Sequence, residues 1–208
     1  NRWKIYHASP YDETIVMDTD MLVLQNIDVW WDFLSNYELF FTSNVLTYRG
    51  TDADTSYYRR TYLDNNLPNL FCGFHYFKKC EFAKEFYTWL ELVVNNWETF
   101  YEQHLEAASR PKHVSIDVCA AIIVKILDCE SSITNKVSKF PSFTHMKSYC
   151  QGWKTAKLSW QDQIGVYISK DCTVKLGNYA QTGILHYTEK DFIENSPAFE
   201  RYRDLTNV

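Results

Sequence analysis

The chain has 208 residues, of which 46% are hydrophobic, 23% are charged and 17% are aromatic, and its formal net charge is −5. This composition is typical of a folded globular protein and excludes a disordered chain. The acidic balance and the absence of a long Lys/Arg run argue against a nucleic-acid partner, because phosphate contacts need a basic face. The many aromatic residues fit either flat surfaces that stack on sugars or bases, or a core rich in rings, and both interpretations stay open.

The sequence carries few signals of location. No segment approaches the roughly 18 apolar residues of a membrane span, and no signal-peptide pattern is present. None of the asparagines lies in an N-x-[ST] sequon, which favours a compartment without N-glycosylation. We expect a cytoplasmic protein without a membrane span, or a Golgi lumenal one if an anchor precedes this sequence. The six cysteines form no CxxC pair and no zinc-like spacing, which favours packed thiols over disulfides.

Hydrophobic patterning predicts strands alternating with helices along the chain. The expected strands lie at 14–18, 22–24, 38–43, 70–77, 140–146, 163–169 and 183–187, and the expected helices at 1–8, 26–35, 81–105 and 115–127. Ser115 stands where it caps the last of these helices. No linker or internal repeat interrupts the pattern, so we expect one α/β domain over 1–208.

Two aspartates follow a strongly apolar run in the segment TIVMDTDMLVL. In an extended chain residues i and i+2 face the same side, so Asp18 and Asp20 are expected to present neighbouring carboxylates at a strand end. Mg²⁺ and Mn²⁺ prefer such oxygen ligands. The same spacing recurs at Asp52 and Asp54, but a polar context there predicts a solvated loop without a metal.

Three further residues are candidates, each with a structural alternative. His186 ends the apolar run GILHY, where it is either a hydrogen-bonded core residue or a neutral imidazole completing a metal site. Lys190 follows closely enough to place an ammonium beside a diphosphate. Asp117 opens an apolar helix. Its carboxylate is either a structural charge favoured by the helix dipole or a contact for a substrate.

Four segments together resemble glycosyltransferase family 8, the glycogenin-like and galactosyltransferase-like retaining enzymes of the GT-A fold. SPYDETIVMDTDMLVLQNID (9–28) resembles the family's segment around its metal-binding D-x-D. LFCGFHYFKK (70–79) resembles its Asn-x-Gly strand, with Phe71 where the family has asparagine. HVSIDVCAAI (113–122) resembles its Asp-Gln helix start without the glutamine, and GILHYTEKDF (183–192) resembles its C-terminal His-x-x-Gly-x-x-Lys motif without the glycine.

The resemblance implies a set of site residues. Asp18, Asp20 and His186 would hold Mn²⁺ or Mg²⁺, and Asp18 and Asp20 would hold the nucleotide-sugar through that ion. Lys190 and Gly73 would also belong to the donor site.

Within this set, the resemblance gives Asp117 the catalytic role. It would stabilise positive charge on the sugar in the transition state.

The resemblance also implies a fold and a reaction. The fold is a Rossmann-like mixed sheet flanked by helices, and we expect a fragment because only 17 residues precede Asp18, too few for the family's nucleotide-binding half. The reaction is hexosyl transfer from a nucleotide-sugar, expected to be a UDP-sugar, to a hydroxyl of a glycan, protein or small molecule, with retention. The alternatives are an idle or truncated GT-A-like binding or assembly module, or a sugar nucleotidyltransferase. The oligomeric state stays open.

A polar, tyrosine-rich segment spans residues 44–67. Loops this long are usually functional or disordered. Its tyrosines and the pair Arg59 and Arg60 are candidates for stacking on sugars and meeting an acidic acceptor. The alternative is a loop that makes subunit contacts.

Overall fold

The computed structural model describes residues 2–53, 59–135, 142–145, 164–169, 173–187 and 197–206. Their fold is a mixture of helices and β-sheets, which confirms the predicted α/β class. The chain divides into two compact units. Unit 1 contains 1–17, 28–44 and 54–141, and unit 2 contains 18–27, 45–53 and 142–208.

Unit 1 combines one three-stranded sheet with helices. Its strands are β1 (Glu13–Met17), β3 (Leu39–Thr42) and β5 (Phe71–Lys78). Its helices are α1 (Lys4–Ala8), α2 (Asp28–Leu34), α3 (Arg60–Asp64), α4 (Glu81–Asn95), α5 (Trp97–His104), α6 (Ile116–Leu127) and α7 (Glu130–Ile133), with a short 3₁₀ turn at Ala107–Ser109.

Strand β5 is the centre of this sheet and pairs antiparallel with both neighbours, in the order β1-β5-β3. Its first seven residues are buried, as expected for a strand covered on both faces. The register with β3 is irregular, because Phe41 pairs with His75 whereas the next residue, Thr42, pairs with Phe71. Gly73 lies within this irregular stretch, where a residue without a side chain is easily accommodated.

Helices α4 and α6 pack on each other and supply much of the core of unit 1. In α4 the buried residues recur every three or four positions, which is the pattern that predicted a helix here. The expected single helix over 81–105 is nevertheless two helices. Asn96 leaves the helical conformation, and its side-chain amide donates to Leu92 O at 2.9 Å in competition with the backbone.

Helix α6 begins after Ser115, as predicted, but the Ser115 side chain makes no capping hydrogen bond. Tyr101 holds the backbone of Ser115 instead, because its hydroxyl accepts from Ser115 N at 2.9 Å and donates to Ser115 O at 3.3 Å. The helix ends at Asp128, whose φ of 49° is left-handed, a common way to terminate a helix.

Unit 2 is built mainly from short strands. The strands are β2 (Met21–Val23), β4 (Asn44–Leu46, whose last two residues belong to unit 2), β6 (Ser142–His145), β7 (Val166–Ile168), β8 (Val174–Leu176), β9 (Tyr179–Ala180) and β10 (Ile184–His186). A four-stranded sheet has the order β2-β10-β6-β4, and a three-stranded antiparallel sheet has the order β7-β8-β9. Helix α8 (Pro197–Thr206) contacts β7.

The structure corrects the expectation of one long loop at 44–67. Strand β4 and helix α3 lie within it. They were not predicted because three and five residues are too few to show a periodic pattern of burial. Strands β8 and β9 were also not predicted, being only three and two residues long.

The helices and cysteines of the described residues bear on two expectations from the sequence. Among the described residues, no helix is long and apolar enough to cross a membrane. The four cysteines in the described part of the chain, Cys72, Cys80, Cys119 and Cys129, are all free thiols, as expected.

Candidate functional site

The two aspartates of the first motif lie in a turn between β1 and β2. Asp18 follows Met17, the last residue of β1, and Asp20 precedes Met21, the first of β2. The extended backbone assumed for Asp18–Asp20 is therefore wrong. Thr19 and Asp20 form a turn between the two strands, and aspartate is favoured in such turns.

His186 is brought to these aspartates by strand pairing. It is the last residue of β10 and pairs with Met21 in the antiparallel ladder with β2. The next backbone amide, Tyr187 N–H, donates to Asp20 O at 3.1 Å. This register places His186 Nε2 3.0 Å from Asp20 Oδ1 and 3.9 Å from Asp18 Oδ2.

The three side chains form a possible cation site within unit 2. One ligand atom from each of Asp18, Asp20 and His186 lies within 4.8 Å of the other two. An octahedral ion with bonds of about 2.1 Å has neighbouring ligands about 3 Å apart and opposite ligands about 4.2 Å apart. The spacing therefore suits a small divalent cation after at most small side-chain adjustments.

The surroundings of His186 hold its ring in place. The residue is 8% exposed, and its imidazole stacks on His145 with ring centroids 4.6 Å apart and planes 25° apart. His145 lies on β6, in parallel register with His186 on β10. Nε2 thus faces the carboxylates, while the buried Nδ1 has no hydrogen-bond partner among the described residues.

Two arrangements account for the 3.0 Å contact. In one, Nε2–H donates a hydrogen bond to Asp20 and no ion is needed. In the other, Nε2 and the carboxylate oxygens share a cation, and their oxygen and nitrogen donors are of the type that Mn²⁺ accepts. The side chains of Asp18 and Asp20 are 23% and 37% exposed, so such an ion would also be open to water or substrate.

His145 was not among the candidate residues. The signal for it was present in the sequence, because the two short apolar runs SFTH and GILH both end in histidine. Only the parallel pairing of β6 with β10 shows that these two ends are neighbours.

Asp117, in the first turn of α6 in unit 1, has partners for both carboxylate oxygens. Cys72 N–H donates to Oδ1 at 2.9 Å, and Arg59 Nη1 lies 3.3 Å from Oδ2. The backbone of Cys72 directly precedes Gly73, so Asp117 and Gly73 are close in unit 1. Cys72 O also accepts from Arg2 Nη1 at 2.5 Å. The irregular stretch of β5 is therefore contacted by the side chains of Arg2 and Asp117.

Arg59 is held inside unit 1, which corrects its expected role as a surface contact for an acceptor. It is 1% exposed, and its guanidinium carbon lies 3.7 Å from the ring centroids of both Tyr62 and Phe71. Nε donates to Asn69 Oδ1 at 2.6 Å, and Nη2 donates to Leu70 O. Five donors in a rigid fork allow one arginine to organise this many partners.

The remaining candidate residues are either buried, exposed or outside the described part of the chain. Tyr48 and Tyr62 are 7% and 4% exposed, so their rings are not free to stack on an acceptor sugar. Asp52 is exposed, as expected for a solvated loop. Lys190 and Asp54 lie outside the described residues.

No protein-family model and no curated protein matches this sequence. The chemistry of the site therefore carries the functional argument.

Proposed function

We propose that this chain is a metal-dependent glycosyltransferase of the GT-A type that transfers a hexose from a UDP-sugar to a hydroxyl acceptor. The observation that carries the proposal is the grouping of Asp18, Asp20 and His186 in unit 2. Two of these residues come from the first motif of the resemblance and the third from its last motif. The mixed sheets and packed helices are compatible with a GT-A domain, which is part of the proposal.

The proposed cation site consists of Asp18, Asp20 and His186. Mn²⁺ or Mg²⁺ bound there would neutralise the charge that develops on the departing diphosphate. The stacked ring of His145 restricts the orientation of His186. This preorganisation matters because a site that is already in place needs no rearrangement during the reaction.

From the resemblance, we propose that Asp117 stabilises positive charge on the sugar as the glycosidic bond lengthens. Its carboxylate is oriented by Arg59 and by Cys72 N–H, so it is held in one position. Lys190 is proposed as a further cation near the diphosphate, and Gly73 as part of the donor-sugar surface. Retention of configuration follows from the resemblance alone.

The test is calorimetric titration of UDP into the protein with and without Mn²⁺. We expect UDP to bind much more tightly with Mn²⁺, and Asp20→Asn to weaken this metal-dependent binding at least about tenfold, because even residues that only support a ligand contribute that much. Asp52→Asn is the matched control, since it removes a carboxylate of the second D-x-D, which is exposed. Equal UDP binding with and without Mn²⁺ would contradict the proposal.

Turnover separates the proposed enzyme from the alternatives. A glycosyltransferase should slowly hydrolyse one UDP-sugar of a panel in the absence of acceptor, and Asp117→Asn should slow this hydrolysis. Metal-dependent UDP binding without any hydrolysis or transfer would indicate a binding module. Release of pyrophosphate from UTP and a sugar phosphate would indicate a nucleotidyltransferase.

A further inference from the structure

Unit 1 contains a cleft of about 420 Å³ between α3 and the segment 108–118 that leads into α6. Four cationic side chains line it, namely Arg59, Arg60, Arg110 and Lys112. A basic cleft is unexpected in a chain with a net charge of −5. Local concentration of one charge in a concave surface is typical of a site for a ligand of the opposite charge.

The charges of this cleft do not cancel within the described residues. Arg59 pairs with Asp117, and Arg60 pairs with Asp64 at 2.9 Å. Arg110 and Lys112 have no carboxylate partner in the parts of unit 1 that the structure describes. Asp117, the acidic residue in the lining, already has partners at both oxygens, so it repels an incoming anion less than an unpaired carboxylate would.

Arg110 carries a donor that lacks an acceptor. Its Nη2 donates to Leu105 O at 3.2 Å, which holds the guanidinium in place. Its Nε is buried and has no hydrogen-bond partner among the described residues. The residue as a whole is partly exposed and lines the cleft, so its guanidinium charge attracts an anion there.

The wall around Arg110 is already ordered by hydrogen bonds. Asn65 Nδ2 donates to Ser109 Oγ at 2.9 Å, and Asn65 Oδ1 accepts from Glu106 N at 2.6 Å. Thr61 Oγ1 donates to Ser109 O at 2.7 Å. These bonds tie the segment before Arg110 to α3, so a ligand would not have to order it.

The start of α6 also lines the cleft. Ser115 and Val118 are part of the lining, and the Ser115 side chain makes no capping bond to the helix. The amide dipoles of a helix start favour negative charge, and phosphate groups use such positions frequently. This adds a second attraction to that of Arg110 and Lys112.

We propose that this cleft binds the phosphate group of a small molecule, with Arg110 and Lys112 as the principal contacts. The site lies within unit 1, and the proposal does not depend on the cation site or on glycosyl transfer.

The experiment titrates inorganic phosphate and pyrophosphate into the protein in EDTA, so that no divalent cation takes part. We expect saturable binding that weakens with added salt, because the attraction is electrostatic. Lys112→Gln should weaken binding about two- to fivefold, the effect of one exposed ion pair. Arg110→Gln should weaken it further.

The variants are chosen so that folding does not obscure the result. Lys112 is exposed and makes no hydrogen bond among the described residues, so its replacement should leave the fold intact. Lys84→Gln removes the same charge from α4, where Lys84 contacts Glu81, and should leave phosphate binding unchanged. Asp20→Asn should also leave it unchanged, which separates this proposal from the proposed metal site.

Three results would overturn the proposal. The first is an absence of saturable phosphate and pyrophosphate binding. The second is equal binding by wild type, Lys112→Gln and Arg110→Gln. The third is binding of malonate as tight as that of phosphate.

Discussion

His75 illustrates how burial decides the charge of a single residue in this protein. It is 2% exposed on β5, its ring stacks on Phe41 with centroids 5.2 Å apart, and Nδ1–H donates to Cys72 O at 3.0 Å. Burial lowers the pKa of His75 from 6.5 to about 4, because imidazolium would lose its hydration; the hydrogen bond to Cys72 opposes this shift only in part. His75 is therefore neutral and structural at neutral pH.

This shift predicts a loss of stability in acid. Between pH 6.5 and about 4 the unfolded chain takes up a proton at His75 that the folded chain does not, so the free energy of unfolding falls as pH falls. The total contribution is about 3 kcal/mol. Urea unfolding of wild type and His75→Phe should show a constant difference above pH 7 and a difference that changes by this amount towards pH 4. A pH-independent difference would contradict the prediction.

Arg59 and Asp117 show how a buried charged residue is accommodated by a partner of opposite charge. The guanidinium of Arg59 packs between two rings, and its carboxylate partner lies 3.3 Å away. Pairs of this kind are costly to break, because the remaining charge is left partly buried. Their partnership means that any change at Arg59 also alters the orientation of Asp117, so activity lost on replacing Arg59 need not indicate substrate contact.

At the scale of elements, α6 has the most extensive burial among the helices that the structure describes in unit 1. Residues 118 to 124 are all buried, whereas the last turn returns to the surface. A helix that is apolar on nearly all sides must be enclosed by other elements, and α6 contacts α4, α5 and β5.

Two isoleucines within α6 test this account with the same chemical change. Ile122 is 0% exposed and Ile126 is 36% exposed. Ile122→Ala should lower the free energy of unfolding by about 3 kcal/mol, since it removes buried groups and leaves a cavity. Ile126→Ala should cost under about 1 kcal/mol, because part of that side chain is already in water. Equal losses in urea unfolding would show that α6 is not enclosed as described.

At the scale of the whole molecule, the proposed cation site and the basic cleft belong to different units. The candidate cation ligands lie in unit 2, and the basic cleft lies in unit 1. Binding that stabilises a folded region reduces its local opening, so each ligand should protect its own unit from hydrogen exchange.

Hydrogen exchange with mass-spectrometric detection tests this separation. Mn²⁺ should slow exchange in peptides covering 18–24 and 184–187, and phosphate should slow it in peptides covering 59–62 and 108–118. Asp20→Asn should lose only the first effect, and Lys112→Gln should lose most of the second. Protection by Mn²⁺ at 108–118 with none at 18–24 would contradict the assignment of the metal site.

Much of the fold could be predicted from the sequence, but the accuracy varied with element length. The predicted strands at 14–18 and 70–77 correspond to β1 and β5, and the predicted helix at 115–127 corresponds to α6, because each has a long apolar pattern. Strands β8 and β9 are too short to carry a periodic signal. The helix is interrupted at Asn96, whose backbone leaves the helical conformation, which composition and periodicity do not reveal.

The candidate site was predictable only in part. Asp18, Asp20 and His186 were chosen from local motifs, and strand pairing then brought them within 4.8 Å. The roles of Arg59 and Arg110 were not foreseen. Arg59 pairs with a residue 58 positions away, and no local pattern distinguishes it from Arg60, which is half exposed.

The sequence by itself therefore determined which segments are buried, where acidic and basic groups are available, and which motifs resemble a known enzyme family. These properties follow from side-chain polarity and spacing over a few residues. The tertiary structure alone decided that β10 aligns His186 with Asp20, that Arg59 is enclosed beside Asp117, and that Arg110 and Lys112 line one cleft. Such contacts depend on strand register and on packing between distant segments, which local patterns do not specify.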